Sequence, residues 1–209
     1  MKQRAVFLDR DGTLIRDIPY AHRVTDLHLL NNAVAGLRGF MALGFKLIVV
    51  TNQSGIGRGY FTEEDMRHFH EALEGQLRAE GVELTAIYYC PYHPTEGIGP
   101  YRRPSELRKP RPGMLLRAER HHDLDLGASY MIGDRERDIV AGQAAGCHTI
   151  LVRDASGAIP ADLKARPDFI APDLLAAARF VERNERPVSA VPRPAHRGFL
   201  PLTPTLEEA

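Results

Sequence analysis

Apolar and polar positions fall into two alternating rhythms along this chain. Ala5-Val6-Phe7-Leu8 is an unbroken apolar run that passes into Asp9-Arg10-Asp11-Gly12-Thr13. A run so short, without alternation, predicts a strand buried on both faces of a parallel sheet covered by helices. Similar stretches predict strands over 45–50, 84–89, 129–132 and 149–152, with a short edge strand at 169–170. Between them, apolar residues at helical spacing predict helices over 33–43, 62–80, 113–121, 135–145 and 172–182. Asn31-Asn32 supplies a cap for the first helix, and Thr62 with Asp65 forms a capping box for the second. Gly44, Gly81 and Gly146 mark helix ends. This βαβα alternation predicts a doubly wound, Rossmann-like α/β domain over 1–183, with a parallel sheet of about five to six strands. Two segments escape the rhythm. Residues 90–112 carry five prolines besides Pro91, two glycines and a cluster of basic residues, and a loop that long is functional or disordered. From Asn184, five prolines and few large apolar groups predict an extended tail over 184–209.

Composition narrows the class. With 209 residues, 44% hydrophobic and 26% charged, the chain has the make-up of a soluble globular protein. Lys+Arg and Asp+Glu both total 27, and this balance disfavours a nucleic-acid partner. No apolar run approaches the ~20 residues of a membrane span. The first strand begins within about five residues, which leaves no room for a signal peptide. Cys90 and Cys147 are too few for a disulfide framework. A cytoplasmic protein, monomeric or weakly homo-oligomeric, is the expectation.

Parallel topology would gather four polar groups at one sheet edge: Asp9 and Asp11, Thr51-Asn52-Gln53-Ser54, Arg108-Lys109, and Asp134 with Asp138. Residues i and i+2 of an extended chain point to one side, so Asp9 and Asp11 can face one ligand. Each group alone also reads as a turn, a cap or a surface charge. Together their chemistry is coherent. Clustered carboxylates need a cation, and all-oxygen ligation suits Mg²⁺. Hydroxyl and amide groups with a lysine suit phosphate oxygens. A carboxylate facing a Mg²⁺-bound phosphoryl group can form an acyl phosphate, splitting one hard step into two. Only four lysines occur against twenty-three arginines, which makes Lys109 a pointed choice.

Asp9-x-Asp11-Gly12-Thr13, Thr51, Lys109 and Gly133-Asp134-x-x-x-Asp138 resemble the four motifs of the haloacid dehalogenase-like phosphatases. Phe7 to Thr13, Val49 to Ile56, Tyr88-Tyr89-Cys90-Pro91 and Arg108-Lys109-Pro110-x-Pro112-Gly113-Met114 are similar to one branch of that family. It comprises the D-glycero-D-manno-heptose 1,7-bisphosphate phosphatases and the related histidinol-phosphatases. The resemblance implies a Mg²⁺-dependent phosphatase acting on a small phosphorylated sugar through an aspartyl phosphate. Asp9 is implied as nucleophile and metal ligand, and Asp11 as general acid/base with its main-chain carbonyl on the metal. Asp134 is implied to complete the metal site, and Thr51 and Lys109 to hold the transferring phosphate. Asn52, Gln53, Ser54, Arg108 and Arg135 are implied to face the substrate. Asp138 matches the family's second acid, in an outer shell, or is a solvated helix-surface acid.

The chain departs from the branch in its long loop. A structural zinc held by C-x-H and C-x-C pairs is expected to be absent, because Tyr92, Ser105 and Leu107 stand at three of the four ligand positions. Cys90 with His93 remains the alternative partial site. One helix and a short loop fill the interval between the first two strands, so no cap domain is expected and the site should be open. Histidinol phosphate, another small monoester, a phospho-receiver domain and a nucleic-acid end-processing phosphatase are the competing readings.

Overall fold

The computed structural model describes residues 2–153 and 165–185. Its strands are β1 Ala5–Leu8, β2 Lys46–Asn52, β3 Ala86–Cys90, β4 Tyr130–Gly133, β5 His148–Val152 and β6 Phe169–Ala171. Its helices are α1 Ala33–Ala42, α2 Ser54–Gly57, α3 Glu63–Ala79, α4 Gly113–His122, α5 Glu136–Ala145 and α6 Leu174–Glu185. The strands form one parallel sheet in the order β3-β2-β1-β4-β5-β6. The expected α/β class holds, at the upper end of the strand count.

The unbroken apolar runs now have a physical reading. In β1, Val6 and Leu8 join a core with Leu47 and Val49 of β2, packed under α1, α3 and α6. Ala5 and Phe7 point the other way, into a second core with Ile48, Val50 and the apolar faces of α4 and α5. Alternate residues thus feed opposite layers, and β1 is apolar on both faces because both are covered. Full burial of each large side chain contributes about 1.5–3 kcal/mol.

Several boundaries moved. β2 runs on through Thr51 and Asn52, paired with Tyr89 and Cys90, so these residues are strand rather than turn. Asn32 does not cap α1: its side chain donates to Asp173 Oδ2 at 2.7 Å, tying α1 to the start of α6. The Thr62–Asp65 capping box is present, with Asp65 N donating to Thr62 Oγ1 at 3.1 Å and Thr62 N to Asp65 Oδ2 at 2.8 Å. Asn184 and Glu185, placed by the sequence in the tail, belong to α6, and the rest of that tail lies outside the described residues.

The loop from Pro91 to Pro112 is fastened at several points. Glu63, the first residue of α3, accepts from Tyr89 Oη at 2.7 Å and from Tyr101 Oη at 2.8 Å. Ile98 N donates to Gly57 O at 2.8 Å, and Arg102 Nε to Gly97 O at 2.7 Å. Between β1 and β2 the chain forms one 3-10 turn and α1, and no folded module covers the sheet edge there. Among the described residues no helix is long and apolar enough to cross a membrane.

Candidate active site

Strand order reverses between β1 and β4, and ligands of open α/β sheets lie beyond the carboxyl ends of strands at such a point. Leu8 is in register with Ile132, and Asp9 N donates to Ile132 O at 2.9 Å. Asp9 therefore leaves β1 beside Gly133 and Asp134. Gly12 turns the chain with φ 79°, and a Cβ there would come within 2.5 Å of Asp134 Oδ2. Glycine lets the loop after β1 lie against the second acid. At Gly133 an added Cβ would lie 2.4 Å from Asp138 Cβ.

Lys109 reaches this point from the far side of the long loop and is fully buried. Its Nζ lies 2.9 Å from Asp9 Oδ1, 2.7 Å from Asp138 Oδ1 and 2.6 Å from Val50 O. An ammonium has three donors, and all three are engaged. To reach a phosphate oxygen, Lys109 must exchange one of these partners. Burial pulls its pKa down, but the Asp138 and Asp9 charges outweigh this and hold it above the ordinary value. Asp138 is wholly buried, which removes the helix-surface reading. Its Oδ2 accepts from Arg135 N at 3.0 Å, and its Oδ1 meets the Lys109 ammonium as an ion pair without the geometry of a hydrogen bond.

Asp11 Oδ2 accepts from Gln53 Nε2 at 2.9 Å, and the same amide donates to Thr51 Oγ1 at 2.8 Å. Asp11 Oδ1 takes Arg10 Nη2 at 3.0 Å. Burial raises the Asp11 pKa, against the lowering effect of the Arg10 charge. Arg10, which sequence reasoning passed over, is fully buried. It lies over the Phe69 ring at 4.6 Å and donates to Ala21 O at 2.9 Å. The signal was present: an arginine directly after a buried strand, between two acids, must find partners inside, and one of them is Asp11 itself.

One of those partners is His70, whose Nε2 lies 3.3 Å from Arg10 Nη1. Burial, with the Arg10 charge, takes its pKa from 6.5 down to about 3. The unfolded chain takes up this proton below pH 6.5 and the native chain does not. Stability is unaffected above that pH and falls by about 1.4 kcal/mol per pH unit below it, until about pH 3. Urea unfolding at pH 7 and pH 5 should show His70→Gln losing about 2 kcal/mol less than the native chain over this interval. Equal losses in both proteins would contradict the assignment.

The other expected residues divide by what holds them. Asn52 exchanges two 3.0 Å hydrogen bonds with the main chain of Lys109, so its amide secures the lysine. Arg135 is half exposed and pairs with Asp17 Oδ2 at 2.7 Å and Asp134 Oδ2 at 2.9 Å. Arg108 Nη1 donates to Tyr92 O at 3.1 Å. A cleft of about 150 Å³ lies over Asp11, lined by Gln53, Ser54, Arg108, Tyr20 and Arg137, of which Arg137 was not anticipated. Larger surface hollows exist, such as one of about 640 Å³ lined by Lys2, Arg4, Lys46 and Asp125, and none of the candidate site residues lines it.

Asp9, Asp134 and Asp138 each offer a carboxylate oxygen, all within 4.8 Å of one another. The Asp11 carboxylate, turned to Arg10 and Gln53, is not in this group. Asp134 Oδ1 is buried with no hydrogen-bond partner among the described residues. Burial, then the Asp9 and Asp138 charges, push the Asp134 pKa up to about 7. An orphaned carboxylate oxygen among other acids fits a hard divalent cation of the Mg²⁺ kind. At the end of β3, Cys90 is buried with Sγ 4.0 Å from Tyr92 O, and in the long loop His93 Nδ1 accepts from Glu96 N at 3.0 Å.

Comparison with known proteins agrees with this geometry. The family model described as HAD-hydrolase-like matches residues 106–177. The D-glycero-alpha-D-manno-heptose-1,7-bisphosphate 7-phosphatase of Burkholderia mallei (strain ATCC 23344) is 46% identical over 159 residues, 75% of this chain and 84% of that protein. The D-glycero-beta-D-manno-heptose-1,7-bisphosphate 7-phosphatase of Escherichia coli (strain K12) is 37% identical over 184 residues, 88% of this chain and 96% of that one. The structure of D,D-heptose 1,7-bisphosphate phosphatase from B. bronchiseptica, complexed with magnesium and phosphate, superposes with a TM-score of 0.73 at 27% identity. That match covers 87% of this chain and 99% of the other. The chain belongs to the haloacid dehalogenase-like phosphatases, phosphoric monoester hydrolases, in the branch that holds the heptose bisphosphate phosphatases.

Proposed function

We propose that this chain is a Mg²⁺-dependent phosphatase that removes the 7-phosphate of a D-glycero-D-manno-heptose 1,7-bisphosphate through an aspartyl phosphate on Asp9. One observation carries the reading: the Asp9 carboxylate is fixed by Lys109 and Arg10 N, beside an acid with an unpartnered buried oxygen. The substrate follows from what the similar phosphatases are named for.

Asp9 and Asp134, with the Asp11 main-chain carbonyl, would hold the cation, while Asp138 is spent on Lys109 and Arg135 N. Bound there, Mg²⁺ supplies Lewis-acid stabilisation of the phosphoryl oxygens. Asp9 attacks phosphorus, so an Asp9 O–P bond forms as the sugar O–P bond breaks. Asp11, whose pKa burial raises, gives its proton to the departing sugar oxygen. It then takes a proton from the water that attacks the aspartyl phosphate, which frees phosphate and restores Asp9. Gln53, bridging Thr51 and Asp11, keeps the acid aimed while its charge changes. Thr51 Oγ1 donates a hydrogen bond to the transferring group and the Lys109 ammonium offsets its charge.

The test is a panel of both heptose bisphosphate anomers, histidinol phosphate and phosphate-ended DNA, each with Mg²⁺ and with chelator. The expected kcat/KM for a heptose bisphosphate exceeds that for histidinol phosphate by at least about 100-fold, and chelator removes activity that Mg²⁺ restores. Preference for histidinol phosphate, or activity unaffected by chelator, would overturn the proposal.

A further inference from the structure

Arg10 is a buried cation beside the reacting groups, and the steps of phosphoryl transfer leave it without a task. It follows the end of β1 by two residues and runs under α3. Its guanidinium meets Met66, Phe69 and His70 of that helix, which stand at i, i+3 and i+4 and so share one buried face. Nη1 donates to Met66 Sδ at 3.0 Å and lies 3.3 Å from His70 Nε2. A guanidinium has no acceptor, so that histidine nitrogen carries the lone pair and the ring proton sits on Nδ1. Nη2 donates to Ala21 O at 2.9 Å, and the Phe69 ring centre lies 4.6 Å from the guanidinium carbon. Carbonyl, sulfur, imidazole and ring thus converge from two separate segments and give the guanidinium one place to stand.

Asp11 is what this fixed fork faces. Nη2 donates to Asp11 Oδ1 at 3.0 Å, and Nε lies 3.2 Å from both Oδ1 and Oδ2. Gln53 Nε2 also donates to Oδ2, at 2.9 Å. Of the ion pair, Asp11 is the side chain open to the cleft: 21% of its surface is exposed against 1% for Arg10. The acid can meet a substrate, and the cation reaches the reaction through the acid.

We infer that Arg10 is the positioning residue of the general acid: held by Ala21, Phe69 and His70, it aims the Asp11 carboxyl at the departing sugar oxygen and balances the carboxylate that proton transfer leaves. The inference rests on the phosphatase reading and extends it to a residue behind the acid. As the sugar O–P bond breaks, the Asp11 O–H bond breaks and an O–H bond forms on the sugar oxygen. The charge this leaves on Asp11 falls on a carboxyl already bound to a guanidinium, and such charge-assisted bonds are the strong ones. A lysine here would keep the charge as one compact point and lose the fork that fixes both oxygens. The effect is bounded by what a general acid contributes, about 10²- to 10⁴-fold.

The experiment compares kcat/KM for heptose 1,7-bisphosphate and for para-nitrophenyl phosphate, both with Mg²⁺, in the native chain, Arg10→Lys, His70→Leu and His70→Gln. Both esters give their phosphoryl group to Asp9, but nitrophenolate departs without a proton and a sugar oxygen needs one. Their ratio therefore reads proton delivery, whereas a loosened fold lowers both rates together and leaves the ratio alone. Arg10→Lys should lower the heptose-to-nitrophenyl ratio about 10- to 100-fold. His70→Leu should lower it about 3- to 10-fold, and His70→Gln, whose amide oxygen can accept from Nη1, should restore most of it. The Arg10→Lys ratio decides; where circular dichroism shows that variant unfolded, the His70→Leu ratio decides in its place. An unchanged ratio in the deciding variant overturns the inference. A native chain inactive on the heptose ester overturns the proposed function itself and the inference with it, which keeps the two failures apart.

Discussion

Asp9→Asn should retain the native fold and hydrolyse heptose bisphosphate at least about 10⁴-fold more slowly than the native chain. Asparagine has the same shape, and its oxygen can still accept from Arg10 N and Lys109 Nζ, the bonds that fix residue 9 at 2.8 Å and 2.9 Å. What it lacks is the charge and the second oxygen needed to bond phosphorus. The variant also leaves Lys109 its Asp138 partner, so no buried cation is stranded. Its thermal midpoint should stay within a few degrees of the native one. Circular dichroism and phosphate release together check this. An active Asp9→Asn protein would remove the nucleophile from the account; an unfolded one would show that the carboxylate is needed for structure.

Lys109→Met should carry the largest stability cost. Asp9, Asp138 and Lys109 form a buried group in which one ammonium offsets two carboxylates. Removing the cation leaves those acids uncompensated, and breaking a buried pair in this way costs about 3–5 kcal/mol. For a chain of this size the thermal midpoint should fall on the order of 10 °C, with phosphatase activity lost. Lys109→Arg should not rescue it, because three acceptors arranged around one nitrogen do not match a planar fork. Adding Asp138→Leu to Lys109→Met should recover much of the stability and none of the activity. Full stability in Lys109→Met, read by urea unfolding, would mean that the acids are not held by this lysine.

The readable parts of the sequence were those where one physical demand acts alone. Burial on both faces wrote β1 and β2 as plain apolar runs, and Asp9 stood out as the acid that ends the first. Lys109 stood out because arginine is the rule elsewhere in the chain. Asp138 was singled out by its spacing from Asp134, but Asp-Arg-Glu-Arg-Asp also reads as a solvated helix start, and the sequence left both readings open. Its burial depends on Lys109 arriving from a loop about thirty residues earlier. Separation along the chain likewise hid the fastening of Asn52 to Lys109 and of Glu63 to Tyr89 and Tyr101. Arg10 was passed over because a charged residue between two acids looks like surface, whereas here it is fully buried with its guanidinium over the Phe69 ring.

The most direct measurement concerns the covalent bond on Asp9. The native chain, mixed with Mg²⁺ and excess heptose bisphosphate and quenched into sodium borohydride, is digested and sequenced by mass spectrometry. Hydride reduces an acyl phosphate to the alcohol and leaves a free carboxylate alone, so homoserine should replace aspartate at position 9 and nowhere else. Homoserine at another acid, or none in a protein that is turning over substrate, would contradict attack by Asp9.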